Sequence, residues 1–224
     1  MDIFEAVKAR HSVRQYLDKP LEAEVKERLE ALIAQYNKEA RLHIQLVTDE
    51  PLAFSSKLAS YGKFENVTNY LVLAGKKRKS LDELCGYYGE KLVLEAQRLG
   101  LNTCWVALTY KKIPGAYTLE KGEKLALVIA LGYGATQGKE RQSKQPEQVC
   151  DDWQSMPKWF QRGVRYAMMA PTATNQQKFK FELADDYKVR AKTAGIGPEI
   201  KVDLGIVKCH FEIGAGTDNF EWIK

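Results

Sequence analysis

The chain has 224 residues, 45% hydrophobic and 28% charged, the make-up of an ordinary globular protein with one large domain or two small ones. Its net charge of +5 comes from 34 Lys and Arg interleaved with 29 Asp and Glu, and the cluster Gly75-Lys76-Lys77-Arg78-Lys79 has no aromatic platform or zinc-type motif beside it, so nucleic acid is not an expected partner. No apolar run approaches the roughly 20 residues of a membrane span, the N-terminal stretch is acidic and amphipathic, and Cys85, Cys104, Cys150 and Cys209 are too scattered for a metal site or disulfide framework. These features lead us to expect a cytoplasmic protein with reduced thiols, no membrane partner and no metal.

Ile3, Phe4 and Val7 mark one face of a short helix that Asp2 favours at its N-terminus and that ends near Arg10. Pro20 suits a first helical position, and Leu21, Val25, Leu29, Leu32, Ile33 and Tyr36 extend a second helix over about 20–37. Leu42, Ile44 and Leu46 alternate as a strand does, and Tyr70 to Ala74 reads as another. A long helical pattern over Leu81 to Leu99 stops at Gly100, and the apolar segments Thr103 to Leu108 and Leu125 to Leu131 read as strands. Polar, Gln-rich residues 134–150 form a long connection. Beyond it come a helix marked by Trp153, Phe160, Val164, Ala167 and Met168, a strand from Phe179 to Leu183, and a helix from Ile200 to Ile213 with Leu204, Val207 and Phe211 inward. That helix, strand, helix order is a weak echo of residues 20–105.

Three segments carry the chemistry. Arg10-His11-Ser12-Val13-Arg14 offers two guanidinium groups and a hydroxyl within five residues, the donor set a phosphate monoester needs, although a solvated turn has the same look. Ala170-Pro171-Thr172-Ala173-Thr174-Asn175-Gln176-Gln177 places small hydroxyl and amide residues in a tight loop after a helix, which suits the polar edge of a flat heteroaromatic ring and equally a helix-terminating turn. Leu99-Gly100-Leu101-Asn102-Thr103-Cys104-Trp105-Val106 is a helix stop leading into a strand, with Cys104 and Trp105 expected to fill the core. With only His11, His43 and His210 available, no Ser-His-Asp or Cys-His arrangement is discernible, and His210, beside Phe211, reads as a satisfied core histidine.

Together these segments resemble the nitroreductase-like flavoprotein family, and specifically its fused pseudo-dimer subset. Arg10, His11, Ser12 and Arg14 match the family turn that grips the phosphate of FMN. Pro171, Thr172, Asn175 and Gln177 match its Ala-Pro-Ser-x-x-Asn-x-Gln segment, and Gly100, Leu101, Thr103 and Trp105 its Gly-Leu-Gly-Thr-x-Trp passage. Leu131-Gly132-Tyr133-Gly134, followed by a loop with Arg141 and Lys144, resembles the strand end and the later cation that reaches the phosphate. The resemblance implies an α+β, three-layer α/β/α fold with a mostly antiparallel central sheet, FMN as cofactor and NAD(P)H as co-substrate. It implies no catalytic side chain, the flavin carrying the chemistry.

Two departures matter. The Pro-Thr-x-x-Asn segment stands some 130 residues later than the family order implies, so residues 1–148 are expected to act as the half with the phosphate turn and 149–224 as the half supplying the flavin-ring loop. The two halves would mimic the family homodimer in a monomer with one flavin, although further association stays open. After Trp105, where the family often has paired glycines near the flavin, this chain has Ala107-Leu108, which narrows the space over the ring. The implied activity is two-electron transfer from NAD(P)H through FMN to a small-molecule acceptor such as a nitroaromatic or quinone. A flavin carrier or sensor with little turnover is the alternative, and a degenerate fold serving as an interaction module a third reading.

Overall fold

The computed structural model describes residues 1–55, 61–184 and 187–223. Its described helices are α1 (Ile3–Ala9), α2 (Ala23–Ala40), α3 (Leu81–Arg98), α4 (Lys158–Ala167) and α5 (Ile200–Ala215). The strands are β1 (Gln45–Val47), β2 (Asn69–Lys76), β3 (Asn102–Val106), β4 (Glu123–Gly132), β5 (Phe179–Ala184), β6 (Lys188–Thr193) and β7 (Glu221–Trp222). The chain forms two compact units. One holds Met1, 9–81 and 91–140, and the other 2–8, 82–90 and 141–224. Segments 2–8 and 82–90 thus belong to the same compact unit as residues 141–224.

In the first unit, β1-β2-β4-β3 form a wholly antiparallel sheet with Leu71 opposite Ile129 and Thr103 opposite Leu131. Tyr70, Val72, Ala74, Cys104, Val106, Val128 and Ala130 share a core with Val13, Tyr16, Phe54 and Phe64. Their neighbours Leu71, Leu73, Leu127, Ile129 and Leu131 are buried as well, so β2 and β4 are apolar on both faces and lack strict alternation. Helix α2 starts three residues later than Pro20 suggests, because Glu22 is still extended, with ψ 144°. Its C-terminus is closed by Arg41 in the left-handed region and by Arg78, whose Nη2 donates to the Ala40 carbonyl at 2.5 Å. Strand β1 starts only at Gln45 because the Asn37 side chain takes both backbone groups of Ile44, at 2.7 and 2.9 Å. Gly100, at φ 82°, closes α3 in a Schellman arrangement, with the Leu101 amide donating to Ala96.

In the second unit, α1 begins with a reciprocal cap: the Glu5 amide donates to Asp2 and the Asp2 amide to Glu5, both at 2.8 Å. Trp153 lies in a separate 3₁₀ turn, and α4 begins only after Pro157. The expected helix, strand, helix order is corrected to helix, two strands, helix and a final strand. Strand β6 was hidden by its composition, Lys-Val-Arg-Ala-Lys-Thr, in which only Val189 is fully buried. It pairs antiparallel with β5 and parallel with the two-residue β7. Phe160, Phe179, Phe181, Phe211, Phe220 and Trp222 interlock in edge-to-face, stacked or tilted pairs at centroid separations between 4.7 and 6.4 Å. All four cysteines are buried and free, as the sequence suggests, and no described helix is long and apolar enough to cross a membrane.

The tightest packing joins α5 to the first half of α3. A Cβ on Gly205 would lie 1.9 Å from the Glu83 carbonyl oxygen, and one on Gly86 2.0 Å from that of Val202. Because the obstacles are backbone oxygens on helices, a methyl there forces the helices apart. Gly205→Ala is therefore expected to lower the unfolding free energy by about 1–3 kcal/mol or more, measured by urea denaturation.

Candidate functional site

The turn after α1 is built onto the head of β3. The Val13 amide donates to the Thr103 carbonyl at 3.0 Å, and Ser12 and Thr103 bridge in parallel. Tyr16 anchors it from below, its hydroxyl donating to the Val13 carbonyl at 2.7 Å, and burial raises the phenol well above its ordinary range. Arg10 is buried to 5% exposure, His11 and Ser12 are half-buried, and Arg14 reaches the surface with its guanidinium 5.9 Å from the centre of the Phe64 ring. Burial pushes the Cys104 thiol up, whereas Arg14, a hydrogen bond with Ser12, and Arg10 pull it down. All three predicted phosphate donors thus act on one point of β3.

A second loop closes over this turn. Asn102, 3% exposed, accepts from the Gly134 amide at 3.1 Å and donates to Gln137 at 3.2 Å, while Ala135 donates to the Gln15 carbonyl. Gly138, at φ 77°, lies so near that a Cβ would come 2.6 Å from the His11 Cβ. The role of Asn102 was not legible in the sequence, since the resemblance drew attention to Gly100, Leu101, Thr103 and Trp105. Trp105 itself is only half-buried, a correction to its expected place in the core beside Cys104. Ala107 is half-buried and Leu108 is 76% exposed in the bend after β3.

The Pro171–Gln177 segment belongs to the second unit and has an unusual backbone. Thr174, Asn175 and Gln177 have φ of 49°, 56° and 46°, in the left-handed region that costs a non-glycine residue on the order of 1–3 kcal/mol. Such a conformation persists only where neighbours impose it, and they are numerous. Gln177, 4% exposed, donates from its amide to Thr172 Oγ1 at 3.0 Å, from Nε2 to the Gln142 carbonyl at 3.0 Å and to Asn175 Oδ1 at 3.1 Å. Asn175 Nδ2 donates to the same Gln142 carbonyl at 2.9 Å. Lys144 donates from its amide to Gln177 Oε1 at 3.0 Å and from Nζ to the Gln177 carbonyl at 2.7 Å, and Arg141 Nη2 donates to the Met168 carbonyl at 2.6 Å. Arg141, Lys144, Asn175 and Gln177 are thereby brought together with Thr172, while Pro171 is buried and Ala173 half-buried at the loop's start.

Sequence reasoning missed Asp203, on the first turn of α5. Its carboxylate, 4% exposed, accepts from the Ala173 amide at 2.9 and 3.2 Å and from Gln176 Nε2 at 2.8 Å. Burial raises its pKa to about 6, against the lowering effect of the Gln176 and Ala173 hydrogen bonds. A polar residue on an apolar helix face, among Val202, Leu204 and Val207, was the available signal. His210 is, as expected, a satisfied core residue: Nε2 lies 2.7 Å from Glu90 and Nδ1 3.2 Å from the Tyr166 carbonyl oxygen. His43 is paired with Glu123 at 2.7 Å.

Residues 2–215 match the model of a family described as "Putative TM nitroreductase". The chain belongs to this nitroreductase family. It is similar to a "putative nitroreductase" from Thermotoga maritima, at 24% identity and a TM-score of 0.69, over 96% of this chain and 83% of that one. It is also similar to a "Putative NADH dehydrogenase/NAD(P)H nitroreductase" from Bacteroides thetaiotaomicron, at 21% identity and TM-score 0.51, over 66% of this chain and 95% of that one. A "putative nitroreductase in complex with FMN" from Desulfovibrio desulfuricans is similar at 18% identity and TM-score 0.51, with the same coverage. These likenesses show the nitroreductase fold, with its mixed helices and antiparallel sheet. No curated protein matches the chain significantly.

In this chain the raised pKa of Asp203 has a measurable consequence. The folded chain keeps the Asp203 proton up to about pH 6, whereas the unfolded chain loses it near 3.8. The contribution of this group to stability is therefore full below about pH 4 and lost as pH rises through 6. Glu22, Glu123, Asp151 and Glu182, held below their ordinary range, titrate in the opposite sense, so the useful quantity is a difference. Between pH 4 and 7 the unfolding free energy of the natural chain should fall by on the order of 2–3 kcal/mol relative to Asp203→Asn, read from paired urea curves.

Proposed function

We propose that this chain binds one FMN and is an NAD(P)H-dependent oxidoreductase acting on a small-molecule acceptor. When bound, the flavin would supply the redox chemistry, a two-electron transfer between NAD(P)H and a nitroaromatic, a quinone or a similar acceptor. The observation that carries the reading is the Arg10, Ser12 and Arg14 donor set at the head of β3, in a chain of the nitroreductase family. A guanidinium as buried as that of Arg10 favours an anion beside it, and the forked donors of two arginines with a hydroxyl fit a phosphate.

Each residue has a proposed task. Arg10, His11, Ser12 and Arg14 hold the phosphate. Pro171, Thr172, Ala173, Asn175 and Gln177 meet the ribityl chain and the polar edge of the ring, and Arg141 and Lys144 add positive charge. Ala107 and Leu108 set the room above the ring. No side chain is needed as nucleophile or general acid, because the proton and electron chemistry belongs to the cofactor. With a single Arg-x-Ser-x-Arg turn in the sequence, the proposed stoichiometry is one FMN per chain, in a monomer whose two parts take the roles that two chains take in a homodimer.

The test is the visible absorption spectrum after incubation with FMN and removal of free ligand. A perturbed flavin spectrum near one FMN per chain is expected, with affinity falling about 100-fold in Arg10→Ala and at least tenfold in Asn175→Ala. NADH or NADPH oxidation by the loaded protein with a quinone acceptor then follows. No retained flavin would overturn the assignment, and retained flavin without nicotinamide oxidation would leave a carrier or sensor.

A further inference from the structure

We propose that Asp203 is the positioning residue of the flavin-facing loop, its carboxylate holding Ala173 and Gln176 so that Thr172, Asn175 and Gln177 are presented in one fixed left-handed arrangement. This inference rests on the FMN reading for what the loop meets, but not for how the loop is held.

The geometry is specific. The Ala173 amide points at both carboxylate oxygens, and Gln176 Nε2 takes one of them, so every hydrogen bond given to Asp203 runs from donor to carboxylate. Gln176 cannot turn its amide over freely, because Nε2 also donates to the Pro198 carbonyl at 2.8 Å, and Oε1 rests where a Cβ on Gly197 would come within 2.1 Å. Asp203 and the 197–198 segment therefore grip the loop at two points, positions 173 and 176. Between them lie Thr174 and Asn175, two of the residues with positive φ. The side chains proposed to meet FMN make their own bonds elsewhere, Asn175 and Gln177 to Gln142 and Lys144, so Asp203 acts on the backbone that carries them and touches none of them.

An acceptor-only group is required. Asn at 203 would keep one oxygen for Ala173 but set an NH₂ against Gln176 Nε2, donor against donor. The charged groups that act on Asp203 are Glu199, on its own side of α5, which favours protonation, and Arg141, from the loop before α4, which opposes it.

The experiment combines hydrogen–deuterium exchange of the 172–177 segment in the flavin-free chain with FMN titration, for the natural chain, Asp203→Asn and Gln176→Ala. Gln176→Ala removes one grip without placing any new group on α5, so it guards against a misfolded Asp203 variant. We expect exchange at Ala173 to Gln177 to quicken about tenfold in both variants and FMN affinity to fall about tenfold at pH 7.5. Unchanged exchange in both variants would overturn the proposal. So would faster exchange with unchanged FMN affinity, since Asp203 would then be structural only. If the natural chain takes up no FMN at any pH, the functional reading fails while exchange still shows whether Asp203 grips the loop.

Discussion

The structure of the second unit depends on one steric constraint, the contact of α3 and α5 through Gly86 and Gly205. A helix pair ordinarily keeps its axes 8–10 Å apart because side chains stand between them. Here each helix presents a glycine to a backbone carbonyl of the other, and the approach is too close for even a methyl group. The contact includes Val202 on one side of Asp203 and Gly205 on the other. The carboxylate therefore projects from a stretch of helix that has little freedom to rotate or slide, which is what a residue that fixes a loop needs. The same helix repeats the device farther along, where Gly214 lies against the Arg162 carbonyl and Tyr166, and Gly163 of α4 lies against Phe211.

Helix α5 also carries one half of a fully buried polar pair. Glu90 and His210 are both inaccessible to solvent, and each nitrogen of the imidazole has an oxygen neighbour, so neither group is left with an unsatisfied hydrogen-bonding atom. Tyr87 and Trp222 both donate to Glu212, at 2.5 and 2.6 Å, and Lys208 pairs with Glu83 at 2.5 Å. Polar contacts of this kind add specificity of register to a helix crossing that apolar packing alone would leave free to slip by a turn. Burial and the Glu212 carboxylate push the Tyr87 phenol far above its ordinary range, so it stays a donor around neutral pH.

Much of this was legible in the sequence, and the failures have physical causes. The helices with a clear apolar period, α2, α3 and α5, lie close to their expected places because each buries a continuous stripe. Strands β2 and β4 were legible as short apolar runs between turns. Strand β6 was not, since a strand with one face in solvent and a single valine inward gives little hydrophobic signal, and β7 is too short for any. The late start of β1 could not be read either: a side chain, Asn37, supplies the hydrogen bonds that a neighbouring strand would have supplied, and that substitution is a tertiary event. The make-up of the compact units was not legible for a related reason. Segments 2–8 and 82–90 are distant in sequence from the residues they join, and no composition change marks them.

The residues of the candidate site divide along the same line. Arg10, Ser12, Arg14, Asn175 and Gln177 could be named because their chemistry is local, donors and acceptors crowded into a few consecutive positions. Asn102 and Asp203 could not, because each acts on a segment about 30 residues away, and the sequence shows only one polar residue in a strand and one in a helix. What distinguishes them is burial with every observed bond directed at a loop. Asn102 meets both a donor and an acceptor of its loop, as a neutral amide can, whereas Asp203 meets donors only, as a carboxylate must. The difference sets their sensitivity to conditions. An amide holds its loop alike at every pH, whereas a carboxylate in a site that raises its pKa to about 6 changes its charge near that pH. Of the two loops, the one carrying Asn175 and Gln177 is therefore the one held by a titrating group.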